Sequence, residues 1–365
     1  MRVRYSYLPQ QFAEIDGLIE EIRRFIPTGD FTLGKALTEF ENRFAELIGV
    51  EYAIGVGSGT DALKLGLKAV GVGYGDEVIT AANTFIATVG AINEIGARPV
   101  FVDCDDTFCM DVRQVEQAIT SRTRAIMPVH FTGYMTDMPA LMEIARRHGL
   151  RVIEDACQGI LASIGGKNAG TWGDAGGFSL HPLKNLNVWG DGGVVVTNDP
   201  GLDRTLRLLR NHGMRNRDEY EILGYNSRLD TLQAIVGNWL IGETRGITAQ
   251  RITNAAYYDE QLSRVPQIRI PPRISGMQIV YHLYIVFAED RDGLYEHCQS
   301  KGVECKIHYP IPLYQQDCMK FLGYNPGDFP VTDRHTREII TFPVDQHISR
   351  GEQDYVIDTV RNYYA

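Results

Sequence analysis

Residues 178–193 read Phe-Ser-Leu-His-Pro-Leu-Lys-Asn-Leu-Asn-Val-Trp-Gly-Asp-Gly-Gly, and Lys184 lies just ahead of the glycine-rich turn. Upstream, an apolar run that begins at Leu150 ends in Glu154 and Asp155, and Ser179 lies five residues before the lysine. A lysine amine can form a Schiff base with pyridoxal phosphate (PLP), a carboxylate can keep the pyridine nitrogen protonated, and a hydroxyl can hold the phosphate. Each residue alone is common, but the combination predicts a PLP enzyme.

The chain from residue 50 to 200 alternates short β-rich runs with amphipathic helical patterns. Strands alternating with helices are typical of a largely parallel sheet covered on both faces, so we predict an α/β fold with a seven-stranded sheet between helices. This large domain is predicted over residues 1–240 and includes an N-terminal helical segment. The predicted strands are Tyr52–Val56, Glu77–Thr80, Pro99–Val102, Ala125–His130, Arg151–Asp155, Gly176–Leu180 and Val194–Thr197.

The pattern changes after about residue 240 and predicts a smaller α+β domain over residues 241–365. Within it we expect a strand at Ile279–Phe287, a helix at Arg291–Lys301, a second strand at Val303–His308 and a closing helix at Glu352–Tyr364. The segment Asn211–Asp230 is polar and irregular, and we place it where the two domains meet.

Composition narrows the class of protein. A net charge of −10 argues against nucleic-acid binding as the main task, and no run approaches the about 18 apolar residues of a membrane span. We therefore expect a cytoplasmic protein with neither nucleic acid nor membrane as partner. The six cysteines form no C-x-x-C pair and no metal-type pairing with histidine, so no metal site is predicted.

Two glycine-rich stretches have different predicted roles. Residues 55–60, Gly-Val-Gly-Ser-Gly-Thr, follow a strand and open a helix, where backbone N–H groups can hold a phosphate. A dinucleotide-binding fingerprint is the alternative, but Thr60 occupies the position of its third glycine. Residues 71–76, Gly-Val-Gly-Tyr-Gly-Asp, end a helix and precede a strand, which is typical of a left-handed stop and a turn.

These motifs match a known family. Together with Asn83-Thr84-Phe85, Glu154–Gln158 and Gly224–Arg228, they make the chain resemble the PLP-dependent sugar aminotransferases of the DegT/DnrJ/StrS type almost end to end. The resemblance implies the aspartate-aminotransferase fold (fold type I). It also implies transfer of an amino group from L-glutamate (or glutamine) to a keto- or aldehydo-sugar.

Several acceptors fit this resemblance. A nucleotide-linked keto-deoxysugar is the first expectation, and a free sugar, such as an oxidised octulosonate of the lipopolysaccharide type or a keto-inositol, is the alternative. A PLP-binding regulatory protein without turnover is an alternative of another class. The complete set of chemistry residues and the absence of a DNA-binding module argue against the regulatory protein.

The resemblance implies a role for each residue around the cofactor ring. Lys184 would bind the cofactor covalently and move the proton during transfer, and Asp155 would pair with the ring nitrogen. Gln158 would hydrogen-bond the ring hydroxyl, and Phe85 would stack on the ring face. Sugar dehydratases of the same fold carry histidine in place of the lysine, so Lys184 argues against dehydration.

The phosphate group would be held by the backbone N–H groups of Gly59 and Thr60 and by the hydroxyl of Ser179. In such enzymes the residue matching Asn226 reaches the phosphate of the neighbouring subunit. The resemblance therefore implies a homodimer with shared active sites.

Substrate contacts are implied at three positions. Arg228 would hold a carboxylate of the amino donor, and His308 would contact the substrate, with His282 a weaker candidate. His181 stands where relatives carry an aromatic residue, and Leu183 replaces a hydroxyl-bearing residue. His181 adds a cation that suits an acidic acceptor, and both departures concern the identity of the sugar.

Overall fold

A computed structural model describes all residues from 1 to 365. Seven of its thirteen strands form one sheet in the order β1-β9-β8-β5-β4-β2-β3. The strands are β1 (Tyr52–Val56), β2 (Glu77–Ala81), β3 (Arg98–Val102), β4 (Thr123–Met127), β5 (Arg151–Asp155), β6 (Ser163–Ile164), β7 (Lys167–Asn168), β8 (Ala175–Ser179), β9 (Gly193–Thr197), β10 (Ile268–Arg269), β11 (Met277–Gln278), β12 (Tyr284–Ala288) and β13 (Ile339–Phe342).

The large sheet is mostly parallel, and the prediction of seven strands between helices is confirmed. Strands β8, β5, β4, β2 and β3 run parallel, whereas β9 is antiparallel to both of its neighbours, β1 and β8. The chain leaves β8 at Ser179 and enters β9 at Gly193, so the loop with Lys184 lies at the edge of the sheet where β5 ends. The topology thus brings the sequence motifs together.

Both faces of this sheet are buried. In β5, Val152 belongs to the larger apolar core and the next residue, Ile153, to the smaller core on the other face. In β9, Val194 and Val196 face the larger core and Val195 the smaller one. Successive side chains of a strand point to opposite faces, so continuous β-branched runs suit a sheet covered on both sides.

Helices cover the sheet, and their ends follow the sequence signals. Asp137 accepts a hydrogen bond from the backbone N–H of Ala140, and Gly149 ends the same helix with a φ of 64°. Gly71 and Gly75 have φ values of 86° and 84°, as the predicted stop and turn require. The helices are α1 (Leu8–Gln11), α2 (Asp16–Phe25), α3 (Lys35–Ile48), α4 (Gly59–Ala69), α5 (Ile86–Glu94), α6 (Met138–His148), α7 (Pro200–Arg210), α8 (Thr231–Ile241), α9 (Thr244–Leu262), α10 (Arg291–Ser300), α11 (Pro330–Glu338) and α12 (Arg350–Tyr364).

The C-terminal part contains a three-stranded antiparallel sheet, β10-β12-β13. The predicted strand at Ile279–Phe287 begins only at Tyr284, because Tyr281 has a left-handed φ of 47°. The predicted strand at Val303–His308 is wrong. Its backbone makes only single bridges, to Val3 and to Thr341, and β13 takes the place beside β12.

None of the helices combines the length and the apolar composition that a membrane crossing requires.

Candidate active site

One cavity of about 490 Å³ lies at the edge of the sheet where β5 and β8 end. Its volume is in the range of sites for small molecules and cofactors. Asn226 and Arg228 do not line it, whereas the other residues singled out from the sequence do: Gly59, Thr60, Phe85, Asp155, Gln158, Ser179, His181, Lys184, His282 and His308.

Lys184 projects into this cavity from the loop between β8 and β9. Its backbone N–H donates to the carbonyl of His181 at 2.8 Å, and its own carbonyl accepts from the Tyr7 hydroxyl at 3.0 Å and from the Asn187 amide at 2.9 Å. Burial lowers the pKa of its ammonium, and nearby Cys157 and Asp155 oppose that shift. A lysine with a lowered pKa is a better nucleophile toward a carbonyl at neutral pH.

Asp155 is the last residue of β5, and its side chain is 5% exposed. Oδ2 accepts from the Thr88 hydroxyl at 2.7 Å, and Oδ1 accepts from the backbone N–H of Cys157 at 3.2 Å. The hydroxyl of Thr84 lies 2.7 Å from that of Thr88 and extends the chain of hydrogen bonds. These contacts fix the orientation of the carboxylate toward the cavity.

The preceding residue, Glu154, has a structural environment. It is fully buried and accepts from Nε2 of His130 at 2.8 Å. It also accepts backbone N–H groups of Gly170, Trp172 and Gly173 at 2.8, 2.6 and 2.9 Å. Adjacent residues of a strand point to opposite faces, so Glu154 anchors the loop behind the sheet while Asp155 faces the cavity.

Gly59 and Thr60 are the first residues of α4, so their N–H groups lie at the positive end of the helix. Ser58 caps the helix, since its hydroxyl accepts from the N–H of Asp61 at 3.1 Å. A Cβ at Gly59 would lie 2.7 Å from Cβ of Ser179 and 3.1 Å from Sγ of Cys157. Only glycine therefore fits between the helix start and the end of β8, which leaves a cradle of donors suited to a phosphate.

The remaining cavity walls combine an amide and two rings. Oε1 of Gln158 accepts from the N–H of Thr132 at 2.7 Å, which leaves its Nε2 as a donor. Phe85 is 52% exposed at the cavity mouth, and its ring centroid lies 6.2 Å from that of Tyr309. This arrangement suits a flat ring ligand with one polar substituent.

The three histidines are held neutral. Burial lowers the pKa of His308 to about 4, with Lys184 as a further cause, and its Nδ1 lies 2.9 Å from Oγ1 of Thr341. Burial also lowers the pKa of His282 well below its usual value and, to a lesser degree, that of His181. At neutral pH these side chains offer hydrogen bonds rather than positive charge, so the expected cation at His181 is not favoured.

Asn226 and Arg228 lie on the irregular segment outside the cavity. Asn226 is exposed and forms a single β-bridge with Asn211, and Nη1 of Arg228 donates to Oδ1 of Asn211 at 3.1 Å. Within one chain, neither side chain lines the cavity that holds Lys184.

Comparison with known proteins gives a consistent result. The model of the DegT/DnrJ/EryC1/StrS aminotransferase family matches residues 14–361. The chain belongs to this family. It is a PLP-dependent sugar aminotransferase with the fold of such enzymes, as the sequence predicted.

Three relatives show the range of the family. The aminotransferase is 39% identical to a "pleiotropic regulatory protein" of Geobacillus stearothermophilus, over 96% of this chain and 94% of the relative. It is 40% identical to a UDP-N-acetyl-3-dehydro-alpha-D-glucosamine 3-aminotransferase of Acidithiobacillus ferrooxidans, over 94% and 93%. The crystal structure of DesV from S. venezuelae superposes with a TM-score of 0.97 at 38% identity and covers 100% of this chain and 98% of DesV.

The residues of the aminotransferase fit PLP. The cavity provides an amine at Lys184, a fixed carboxylate at Asp155, and a helix N-terminus that a Cβ at Gly59 would obstruct. When bound, PLP supplies an electron sink for the carbon that carries the amino group. Lys184 would bind the cofactor and move a proton at that carbon, and the buried carboxylate of Asp155 would hold a proton on the ring nitrogen.

Sequence reasoning missed several residues that the fold brings to the site. Thr88 supports Asp155, Tyr309 lines the cavity beside Phe85, Asp191 lines it from the glycine-rich turn, and Tyr7 holds the Lys184 carbonyl. The spacing of Thr84 and Thr88 by four residues across the start of α5 was a signal for a shared face. No local pattern marked Tyr7.

Proposed function

We propose that this aminotransferase moves the amino group of L-glutamate (or glutamine) to a nucleotide-linked keto-deoxysugar in amino-sugar biosynthesis. Its donor half-reaction leaves the cofactor aminated and releases the keto acid, and the acceptor half-reaction returns the amine to the sugar. The observation that carries the proposal is the single cavity that joins Lys184, Asp155 and the phosphate cradle. The relative from Acidithiobacillus ferrooxidans supports a nucleotide-linked acceptor.

Space for a long acceptor supports the same conclusion. An apolar groove of about 330 Å³ shares Thr84, Phe85 and Tyr309 with the active-site cavity and continues past Ile86 and Ile311. A free sugar would fill only the inner cavity, whereas a nucleotide-linked sugar extends beyond it. The free octulosonate or keto-inositol remains the alternative acceptor.

The roles of the site residues are part of this proposal. Asp155 holds the ring nitrogen, Gln158 the ring hydroxyl, and Phe85 the ring face, while His308 contacts the sugar. Gly59, Thr60 and Ser179 hold the phosphate. His181 lies at the rim of the cavity, where it contacts the acceptor as a neutral side chain.

The proposed active species is a homodimer. Asn226 is exposed and lies outside the cavity of its own chain, so it is free to reach the phosphate site of a second copy. Arg228 follows two residues later and would reach a donor carboxylate in the same partner site. Each active site then needs residues from two chains.

The test is a pair of half-reactions. The PLP-loaded protein is mixed with L-glutamate, L-glutamine or L-alanine, and loss of the visible absorption band is followed together with release of the keto acid. The aminated form is then screened against nucleotide-linked keto sugars, an oxidised octulosonate and a keto-inositol. Recovery of the band with a nucleotide-linked sugar is expected, and recovery only with a free sugar would contradict the acceptor assignment.

A second candidate is a PLP-binding regulatory protein without turnover, which the name of the Geobacillus stearothermophilus relative favours. The same experiment separates the two functions. A regulator would keep its absorption band with every amino acid and release no keto acid.

A further inference from the structure

A second, smaller cavity lies directly beside the active site. Its volume is about 80 Å³, and Leu183, His282 and His308 line both cavities. This space is large enough for a few water molecules or one carboxylate group. The cavity is therefore a site for a single functional group of a ligand in the main cavity.

Arg251 of α9 forms the polar wall of this small cavity and is 2% exposed. Its Nε donates to Oε1 of Gln346 at 3.2 Å, and its Nη1 donates to the carbonyl of Tyr281 at 3.1 Å. Its Nη2 has no hydrogen-bond partner although it is buried. A buried guanidinium with free donors is costly unless an acceptor, best an anion, completes its shell.

Apart from Arg251 and Asp345, the polar groups around the cavity are neutral. Tyr5 and Tyr7 bring phenol groups, and burial raises the pKa of each, so both stay protonated and neutral. His282 and His308 are neutral at pH 7 because burial lowers the pKa of each.

Asp345 is the one acidic residue in the wall, and its carboxylate already accepts from the N–H of His347 at 2.8 Å. Burial raises the pKa of Asp345, and the nearby positive charge of Arg251 opposes that shift. Asp345 and Arg251 attract each other electrostatically, but Nη2 of Arg251 has no hydrogen-bond partner and stays available as a donor.

The main cavity lacks a comparable group. No arginine lines it, and its one lysine, Lys184, is the residue assigned to the cofactor. L-Glutamate carries two carboxylates and L-glutamine one, and each carboxylate needs a cation or several donors when it leaves water. We infer that Arg251 and the adjacent Tyr5 phenol form a binding site for one carboxylate of a substrate, reached from the main cavity between Leu183 and His308. This inference rests on the proposed function, since it assigns a place to the carboxylate of a donor or of an acidic sugar.

Binding of unreactive acids tests this site without turnover. Glutarate has no amine and no ketone, so it binds without reacting. Its affinity for the PLP-loaded protein is measured by calorimetry, and glutaramide serves as the neutral probe. Arg251→Gln is expected to weaken glutarate binding about 10- to 100-fold, because a charge-assisted hydrogen bond is lost, and Arg251→Lys less so. Arg245→Gln is the matched control, because Arg245 lies on the same helix and donates to the carbonyl of Leu47 far from the cavity.

A second pair of probes distinguishes the amino donor from an acidic sugar as the source of the carboxylate. Methyl glucuronide and methyl glucoside differ only in the acidic group. If Arg251→Gln weakens glutarate binding, the site belongs to the amino donor. If it weakens only glucuronide binding, the site belongs to an acidic sugar. Affinities for both acids that are unchanged in a folded Arg251→Gln protein would overturn the inference.

Loss of folding in Arg251→Gln would not end the test. Leu183→Phe narrows the passage from the active-site side and leaves Arg251 and its carbonyl contacts in place. We expect weaker glutarate binding with the cofactor retained, and wild-type binding would reject the site. A wild type that releases no keto acid from either glutamate or glutamine refutes the proposed donor, whereas Arg251-dependent binding of glutarate is measured independently of that outcome.

Discussion

The hydroxyl of Tyr7 donates a 3.0 Å hydrogen bond to the backbone carbonyl of Lys184, which lies 177 positions further along the chain. The amide of Asn187 donates to the same oxygen at 2.9 Å and itself accepts from Gln11 at 3.1 Å. The N-terminal segment thus fixes the loop that carries the reactive lysine. Because the backbone carbonyl of Lys184 accepts both hydrogen bonds, the loop is held in place while the Lys184 side chain stays free to point into the cavity.

We expect Tyr7→Phe to lower the free energy of unfolding by about 1 kcal/mol and to slow turnover, because one of two hydrogen bonds to the Lys184 carbonyl is lost. Urea denaturation and steady-state rates measure the two effects. Tyr355→Phe is the control, since its hydroxyl donates to the carbonyl of Lys301 at 2.9 Å on the exposed surface. Equal effects of both changes on turnover would show that the Tyr7 contact does not act on the lysine loop.

Gly59→Ala tests the phosphate cradle. The new Cβ would meet Cβ of Ser179 at 2.7 Å, so either α4 or the end of β8 must move, and we expect PLP affinity to fall at least about tenfold. Titration of the cofactor-free protein with PLP, followed by absorption, measures the affinity. Gly73→Ala adds the same methyl group where nothing lies within 4 Å and should leave PLP binding unchanged.

The sheet was predictable because its strands are continuous apolar runs, which a sheet buried on both faces requires. Ten of the cavity residues, Gly59 and Lys184 among them, were predictable from motifs that combine rare chemistry with fixed spacing, whereas Thr88 and Asp191 were not. The prediction of a strand at Val303–His308 was wrong because this segment pairs with residues far away in the sequence. It forms one isolated bridge with Val3 and one with Thr341, and no continuous pairing of two strands results. The periodicity of a sequence indicates which side chains are buried, but it does not indicate which other segment of the chain forms the backbone hydrogen bonds.

The contact of Tyr7 with Lys184 and the cavity at Arg251 were not predictable for the same reason. Each depends on an N-terminal segment that meets helix α9 and the lysine loop in three dimensions. A buried arginine within a helical pattern has the sequence signature of an ordinary surface arginine.

Thr88→Val tests the support of Asp155. The change keeps the shape of the side chain but removes the 2.7 Å hydrogen bond to Oδ2, so we expect roughly tenfold lower activity with PLP still bound. Asp155→Asn should also bind PLP and lose most activity, because an unprotonated ring nitrogen is a poor electron sink. Thr88→Ser keeps the hydroxyl and should restore the rate, and a Thr88→Val rate equal to wild type would reject the positioning role.

The pKa of His308 predicts a pH dependence of stability. Burial lowers this pKa to about 4 from the usual 6.5, so the unfolded chain binds more protons than the folded one between these values. Stability should therefore fall as the pH drops from 6.5 to 4. In His308→Gln, a flatter decline of the thermal midpoint over this window is expected, and a slope identical to wild type would show that His308 is not protonated on unfolding.

A mixed dimer tests the shared site directly. Lys184→Ala should remove the visible band and all turnover while the protein stays folded, and Asn226→Ala should weaken PLP binding in the partner's site. In a dimer of one chain of each kind, one site carries both changes, and the other combines an intact Lys184 with an intact Asn226. Co-expression with two affinity tags isolates this species, and up to one working site per dimer should return although both parents are impaired. The contrary model is that Asn226 acts within its own chain. In that case one site of the mixed dimer lacks the Lys184 amine and the other lacks the Asn226 amide. Activity would then not rise above that of the Asn226→Ala parent.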